Sequence, residues 1–270
     1  MDNPVRKVTV RDLSKKKAAK EKIVTITAYD AIMGRLADEA GCDLILVGDS
    51  MGNTVLGYQN TIPVTLAESL MLTAAVCRGV KRAMVIGDMP FMSYQINGDD
   101  AVRNAGRYLK ECGADGVKLE GGRVMLPVIK RLVEAGIPVF GHIGLLPQSV
   151  LKDGGYRIHG RSSNEAAALL DDALAVQEAG AFAVTLEGIP APLSAQISEQ
   201  LSIPTIGIGA GPHCDGQIQV ITDLLGLGGA FLPRHAKLYA RLADTVRDAI
   251  GTYREDVCAG RFPGEEHSAK

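Results

Sequence analysis

A chain of 270 residues with 46% hydrophobic content can bury one substantial core, and a formal net charge of −2 gives it no basic footprint for nucleic acid. No apolar run approaches the roughly 20 residues that a membrane span needs. Cys42, Cys77, Cys112, Cys214 and Cys258 are odd in number and scattered without a CxxC, which speaks against zinc and disulfide frameworks and for free thiols in a reducing cytoplasm.

The N-terminal lysines Lys15, Lys16, Lys17, Lys20 and Lys22 are interrupted by Asp12 and Glu21, and read as a short amphipathic lead-in helix. No apolar stretch follows them, so no secretory signal is expected. The first strand, 23–29, runs into Asp30, which suits a helix N-cap as well as it suits a ligand. A loose phrase then recurs. Glu39-Ala40-Gly41 leads into a strand at 44–49, and Glu111-Cys112-Gly113 leads into one at 116–120. Glu134-Ala135-Gly136 precedes 138–142, and Glu178-Ala179-Gly180 precedes 182–187. Each Gly falls where a helix C-cap wants a left-handed residue, and a short apolar run follows. Gly79 to Asp88 is a looser copy ending in a strand at 83–88, and 204–208 and 217–222 complete eight.

Helices are expected at 66–78, 99–112, 123–135, 164–179, 191–201 and 236–258. Alternating strands and helices without a linker predict an α/β chain forming one (β/α)8 TIM-barrel domain over 1–270, with a short N-terminal lead-in and a C-terminal helix. An open doubly wound sheet is the competing architecture. The stretch 148–163 reads as a long loop, either a mobile cover or a fixed connection. Gly207-Ile208-Gly209-Ala210-Gly211 reads as a tight strand exit or a phosphate cradle, and is not a GxGxxG fingerprint. His159, His213 and His235 suit loop or surface positions, and Met84, Met89 and Met92 suit the core.

The strand ends carry the chemistry: Asp49-Ser50, Asp88, Lys118 with Glu120, His142, and Glu187. Lys118 and Glu120 lie two apart and share one face, placed toward the barrel interior. An N-cap or a buried ion pair explains any one of them alone. Four carboxylates directed to one barrel mouth repel each other, however, and require a compensating cation. Oxygen ligands without Cys favour Mg²⁺ over Zn²⁺, and Glu187 is left over as a general base. The residues alone therefore predict metal-assisted proton abstraction beside a carbonyl, with no substrate named.

At these same positions the sequence resembles the ketopantoate hydroxymethyltransferase family. The matching segments include Val47-Gly48-Asp49-Ser50-Met51-Gly52, Gly87-Asp88-Met89-Pro90-Phe91 and Val117-Lys118-Leu119-Glu120-Gly121-Gly122. Gly141-His142-Ile143-Gly144-Leu145-Leu146-Pro147-Gln148 and Leu186-Glu187-Gly188-Ile189-Pro190 continue the match in order. The resemblance implies a barrel of the phosphoenolpyruvate/pyruvate-superfamily type. It also implies transfer of a hydroxymethyl group from 5,10-methylenetetrahydrofolate to 3-methyl-2-oxobutanoate, through a Mg²⁺-stabilised enolate, in pantothenate and coenzyme A synthesis. By the same resemblance Asp49 and Asp88 ligate Mg²⁺, with Glu120 joining directly or through water. Ser50 and Lys118 hold the substrate carboxylate, His142 lies near the incoming hydroxymethyl group, and Glu187 is the catalytic base. It further implies a cytoplasmic homo-oligomer, typically a decamer, acting on small molecules without nucleic-acid or membrane partners. Two other readings remain at this point: a Schiff-base aldolase with Lys118 as nucleophile, and a barrel that binds a 2-oxo acid without turnover.

Overall fold

A computed structural model describes residues 5–228 and 232–269. Two compact units divide the chain, Met1–Val220 and Ile221–Lys270. The first is a closed eight-stranded parallel barrel in which each strand pairs with its neighbours in sequence and β1 pairs with β8. The strands are β1 Ile23–Thr27, β2 Leu44–Val47, β3 Met84–Asp88, β4 Gly116–Lys118, β5 Val139–Gly144, β6 Ala183–Glu187, β7 Thr205–Ile208 and β8 Gly216–Gln219. All eight expected strands are present, shifted by a few residues at their ends. The open sheet is excluded.

Around them lie α1 Val10–Ala18, α2 Ala31–Glu39, α3 Met51–Thr54, α4 Leu66–Gly79, α5 Gly98–Arg107, α6 Leu126–Glu134, α7 Val150–Asp153, α8 Ser163–Glu178 and α9 Ala191–Gln200. Several helices start on side chains that satisfy otherwise unpaired backbone N–H groups. Thr65 and Glu68 form a reciprocal capping box at α4, with Glu68 N donating to Thr65 Oγ1 at 3.2 Å and Thr65 N to Glu68 Oε2 at 2.8 Å. Asp30 accepts from Met33 N at 2.8 Å and caps α2, which settles its two readings in favour of the cap.

Alternation along the strands divides the barrel interior into two floors. Leu44 and Leu46 of β2, Met84 and Ile86 of β3, Phe140 of β5, Ala183 of β6, Ile206 of β7 and Ile218 of β8 form one apolar cluster. Leu13 of α1 belongs to that cluster and is 1% exposed, so the lead-in helix stoppers the N-terminal end of the barrel. Two lysines of the lead-in run pair across that end, Lys16 with Asp43 at 2.6 Å and Lys17 with Asp215 at 2.7 Å. A second, larger cluster lies between the strands and the surrounding helices. Continuing each inward series in steps of two leads from Ile86 to Asp88, from Phe140 to His142, and from Ala183 through Thr185 to Glu187.

The second unit holds α10 Ile221–Leu225 and α11 Leu242–Cys258. The expected helix 236–258 therefore begins six residues late. Tyr239 N donates to Leu224 O at 2.9 Å, a long-range bond that takes the place of a helical one there. Among the expected core methionines, Met84 and Met89 are buried, but Met92 is exposed and adopts φ 65° in the loop after β3. No helix among the described residues is long and apolar enough to cross a membrane.

Candidate active site

The C-terminal mouth of the barrel collects the strand-end residues. Asp88 ends β3 and Lys118 ends β4, and the two are direct register partners in the parallel ladder. Lys118 Nζ donates to Asp88 Oδ1 at 2.9 Å and to Oδ2 at 2.8 Å, and both residues are buried. Asp49, just past β2, donates its backbone N–H to Asp88 Oδ2 at 3.1 Å. Gly87 allows this arrangement. A Cβ there would stand 2.2 Å from the Tyr108 ring, whose hydroxyl donates to the Asp88 carbonyl at 2.9 Å.

Glu120 lies two residues past Lys118 on the same face, as the alternation predicts, and is buried. Gln148 N donates to its Oε2 at 3.0 Å, whereas its Oε1 has no hydrogen-bond partner. His142 stands between two carboxylates, with Nδ1 3.6 Å from Glu120 Oε1 and Nε2 3.2 Å from Glu187 Oε2. Neither contact has hydrogen-bond alignment. The Glu187 side chain is 18% exposed, against 3% for Glu120 and 1% for Asp88, so among these it is the carboxylate open to an incoming molecule. Ser50 opens α3, and its Oγ lies 2.8 Å from the hydroxyl of the buried Tyr29.

Burial controls the electrostatics. It pushes the Asp88 carboxyl up to about 7, reinforced by Asp49 and opposed by Lys118. It raises Glu120 well above the ordinary glutamate range, with Asp49 and Asp88 adding to the effect and Lys118 working against it. Burial also works against the Lys118 charge, but Asp88, Glu120 and Asp49 together outweigh it and raise the ammonium pKa. His142 is lowered by burial first and by Lys118 second, which keeps its imidazole neutral near pH 7. The site thus gathers more buried acid than one ammonium can balance.

The residues expected from the sequence, Asp49, Ser50, Asp88, Lys118, Glu120, His142 and Glu187, all stand at this one mouth. Two neighbours escaped sequence reasoning. The sequence places Gln148 at the start of a loop, yet it is buried and bonds Asp49, Glu120 and the Met89 carbonyl. Tyr94, in the loop after β3, donates to Gln148 Oε1 at 2.7 Å and accepts from Glu120 N at 3.1 Å. The only sequence signal for Gln148 was its place at the end of the His142 segment.

The stretch 148–163 holds α7 rather than being all loop. His159 N beyond it donates to the Gly188 carbonyl at 3.1 Å, next to Glu187. The 207–211 stretch forms a strand-exit turn, with Gly209 at φ 62° and Gly211 at φ 79°, and Gln217 Nε2 donates to the Gly211 carbonyl at 2.9 Å.

Residues 7–265 match the family described as ketopantoate hydroxymethyltransferase. A 3-methyl-2-oxobutanoate hydroxymethyltransferase of Chloroflexus aurantiacus is 54% identical over 264 residues, covering 98% of this chain and 93% of the relative. Its counterpart in Syntrophus aciditrophicus is 50% identical over 263 residues, covering 97% of each. Among solved structures, phosphoenolpyruvate phosphomutase from Streptomyces platensis subsp. rosaceus superposes with a TM-score of 0.62 at 16% identity, covering 97% of this chain and 92% of that one. The 2,3-dimethylmalate lyase of the PEP mutase/isocitrate lyase superfamily gives 0.58 at 15% identity, over 96% and 91%. At such identities the solved structures speak for the barrel alone.

Proposed function

The chain belongs to the ketopantoate hydroxymethyltransferase family, and from that premise we propose that it moves the one-carbon unit of 5,10-methylenetetrahydrofolate onto C3 of 3-methyl-2-oxobutanoate, giving 2-dehydropantoate. The observation that carries the reading is the imbalance at the mouth: buried Asp49, Asp88 and Glu120 around a single buried ammonium, with the more open Glu187 across His142 from them.

The residues fit a hard divalent cation. Their donors are carboxylate oxygens, burial disfavours their negative charge, and Glu120 Oε1 is buried without a partner. Among the described residues no three His, Cys, Asp or Glu side chains converge as a ready-made cage. That is compatible with Mg²⁺, which commonly takes one or two carboxylates and completes its shell with water and substrate oxygens. Asp49 and Asp88 would hold it, with Glu120 third, directly or through water. When bound, the ion supplies Lewis-acid charge beside the substrate carbonyl, where negative charge develops.

The protein's own groups do the rest. The Lys118 ammonium, held cationic by its carboxylate neighbours, attracts the substrate carboxylate, and the Ser50 hydroxyl and backbone assist it. Glu187 accepts the C3 proton, and the C–H electron pair forms the new C–C bond to the one-carbon unit. Both bonds of that carbon to folate nitrogen break, one water supplies the hydroxyl oxygen, and tetrahydrofolate leaves with the C3 proton and the water's proton on its two nitrogens. Neutral His142, 3.2 Å from Glu187 Oε2, lies beside that carboxylate and borders the space for the hydroxymethyl group. A Schiff base on Lys118 would need a neutral amine, which the two bonds to Asp88 oppose. Borohydride with substrate is therefore expected to leave Lys118 unmodified.

The testing experiment is deuterium loss from 3-deuterated 3-methyl-2-oxobutanoate. Exchange is expected to require Mg²⁺ and to fall by about 10²- to 10⁴-fold in Glu187→Gln. Metal-independent exchange, or undiminished exchange in the variant, would sink the assignment. We further propose a cytoplasmic homo-oligomer, typically a decamer, and light scattering on the purified protein checks the assembly.

A further inference from the structure

Gln148 is 5% exposed, and its polar atoms reach three successive strand ends. Its Nε2 donates to Asp49 Oδ2 at 3.0 Å, just past β2, and to the Met89 carbonyl at 2.9 Å, just past β3. Its backbone N–H donates to Glu120 Oε2 at 3.0 Å, past β4. Its Oε1 accepts from Tyr94 OH at 2.7 Å and from Gln95 Nε2 at 3.3 Å. Both amide hydrogens and the amide oxygen are thus used. The Tyr94 hydroxyl, which also accepts from Glu120 N at 3.1 Å, fixes which end of the amide faces Asp49.

The chemistry of this position is selective. Asp49 and Glu120 are both buried acids, and Gln148 bonds the two at once, one through its side chain and the other through its backbone N–H. A lysine at 148 would orient Asp49 but cancel charge that a divalent ion needs. A glutamate would have no hydrogen to give to Asp49 or to the Met89 carbonyl. A primary amide can orient a carboxylate while leaving its charge intact. We infer that Gln148, locked by Tyr94, is a positioning residue that presents the Asp49 and Glu120 carboxylates to a divalent cation across the barrel mouth. The inference rests on the carboxylate-metal reading given above. It adds residues outside the strand-end set, and it ties the start of the 148–163 stretch to the reacting centre. Partners of this outer kind orient ligands, and their loss commonly costs about 10- to 100-fold in metal affinity or activity.

The test uses the full-length enzyme with Mn²⁺ as an electron-paramagnetic-resonance probe of divalent binding, without substrate. Steady-state kinetics and thermal unfolding are measured in parallel. Gln148→Leu is expected to weaken Mn²⁺ binding by about 10- to 100-fold and to lower kcat over a similar range. The KM for 3-methyl-2-oxobutanoate at saturating metal should change much less. Tyr94→Phe keeps the ring and removes only the orienting hydroxyl, so its loss of Mn²⁺ affinity should be in the same direction and nearer tenfold. A purely structural role would lower the unfolding temperature and leave Mn²⁺ affinity untouched at temperatures where the variants are folded. That result in Gln148→Leu overturns the inference. If Gln148→Leu fails to fold, unchanged Mn²⁺ affinity in Tyr94→Phe overturns it instead. A parent enzyme that binds no Mn²⁺ would fail earlier, at the carboxylate-metal reading itself.

Discussion

The two floors of the barrel interior are equally well sealed and opposite in chemistry. On the lower floor Leu13, Ile23, Leu44, Met84, Phe140 and Ile218 are each at most 4% exposed and wholly apolar. On the upper floor Asp49, Asp88, Lys118, Glu120 and His142 are each at most 5% exposed and carry most of the buried charge of the barrel. One floor holds the barrel shut at a net gain in stability. The other places acids where water cannot solvate them, which opposes folding unless a cation compensates. The same strands build both, because an inward series such as Met84, Ile86, Asp88 changes character at its last member. Stability alone gives no reason for that change, and the proposed function is built on it.

The largest expected effect comes from removing the upper floor's cation. Lys118→Met leaves Asp88 buried beside Asp49 without its two hydrogen bonds. Breaking a buried pair from one side typically costs about 3–5 kcal/mol, and activity should be lost as well. Because Asp88 can take up a proton near pH 7, the stability deficit should be larger at pH 8 than at pH 6. Denaturant unfolding at both values checks this. An equal deficit at the two would mean that Asp88 is not the group left uncompensated.

Leu13→Ala probes the lower floor. Deleting this buried side chain should cost about 2–5 kcal/mol in the same unfolding assay, through lost burial and a residual cavity. Specific activity well below the unfolding transition should be unaltered, since Leu13 belongs to the cluster at the N-terminal end of the barrel. If Leu13→Ala lowered kcat in proportion to stability, the separation of the two floors would fail.

This division was legible in the sequence to different degrees. The eight strands and the inward placement of Lys118 and Glu120 follow from short apolar runs and their period of two, which act locally. The approach of Asp88 to Lys118 depends on register between strands, and the sequence gives no local sign of it. Helix α2 between Asp30 and Gly41 was not foreseen, although its cap was. The late start of α11 escaped because a long-range bond from Tyr239 to Leu224 overrides local periodicity. Gln148 was missed for a related reason. An uncharged residue at the head of an apparent loop carries no signal of burial, and its partners lie 28 and 99 positions away in sequence.

The smallest effect is also the one that sets the two floors against each other in a single protein. Asp88 is raised from 3.8 to about 7 in the folded state, and Glu120 is raised in the same direction. Between the unfolded and folded values the folded protein therefore binds more protons than the unfolded chain. Their contribution to stability is fully present below the unfolded pKa and is lost as pH rises through the folded one. For metal-free protein this loss should be complete for Asp88 somewhat above pH 7. On the proposed metal reading a divalent ion would compete with the protons for the same carboxylates, so stabilisation by Mg²⁺ should grow across the same window. At a hundredfold excess over its dissociation constant, that stabilisation approaches about 2.7 kcal/mol. Thermal unfolding of the parent from pH 5 to pH 8, with EDTA and with Mg²⁺, measures both trends. Leu13→Ala should shift both curves down together and leave the gap between them unchanged. In Asp88→Asn the gap should narrow and lose most of its dependence on pH. A gap just as wide and as steep in Asp88→Asn would place the metal-linked titration elsewhere than the upper floor.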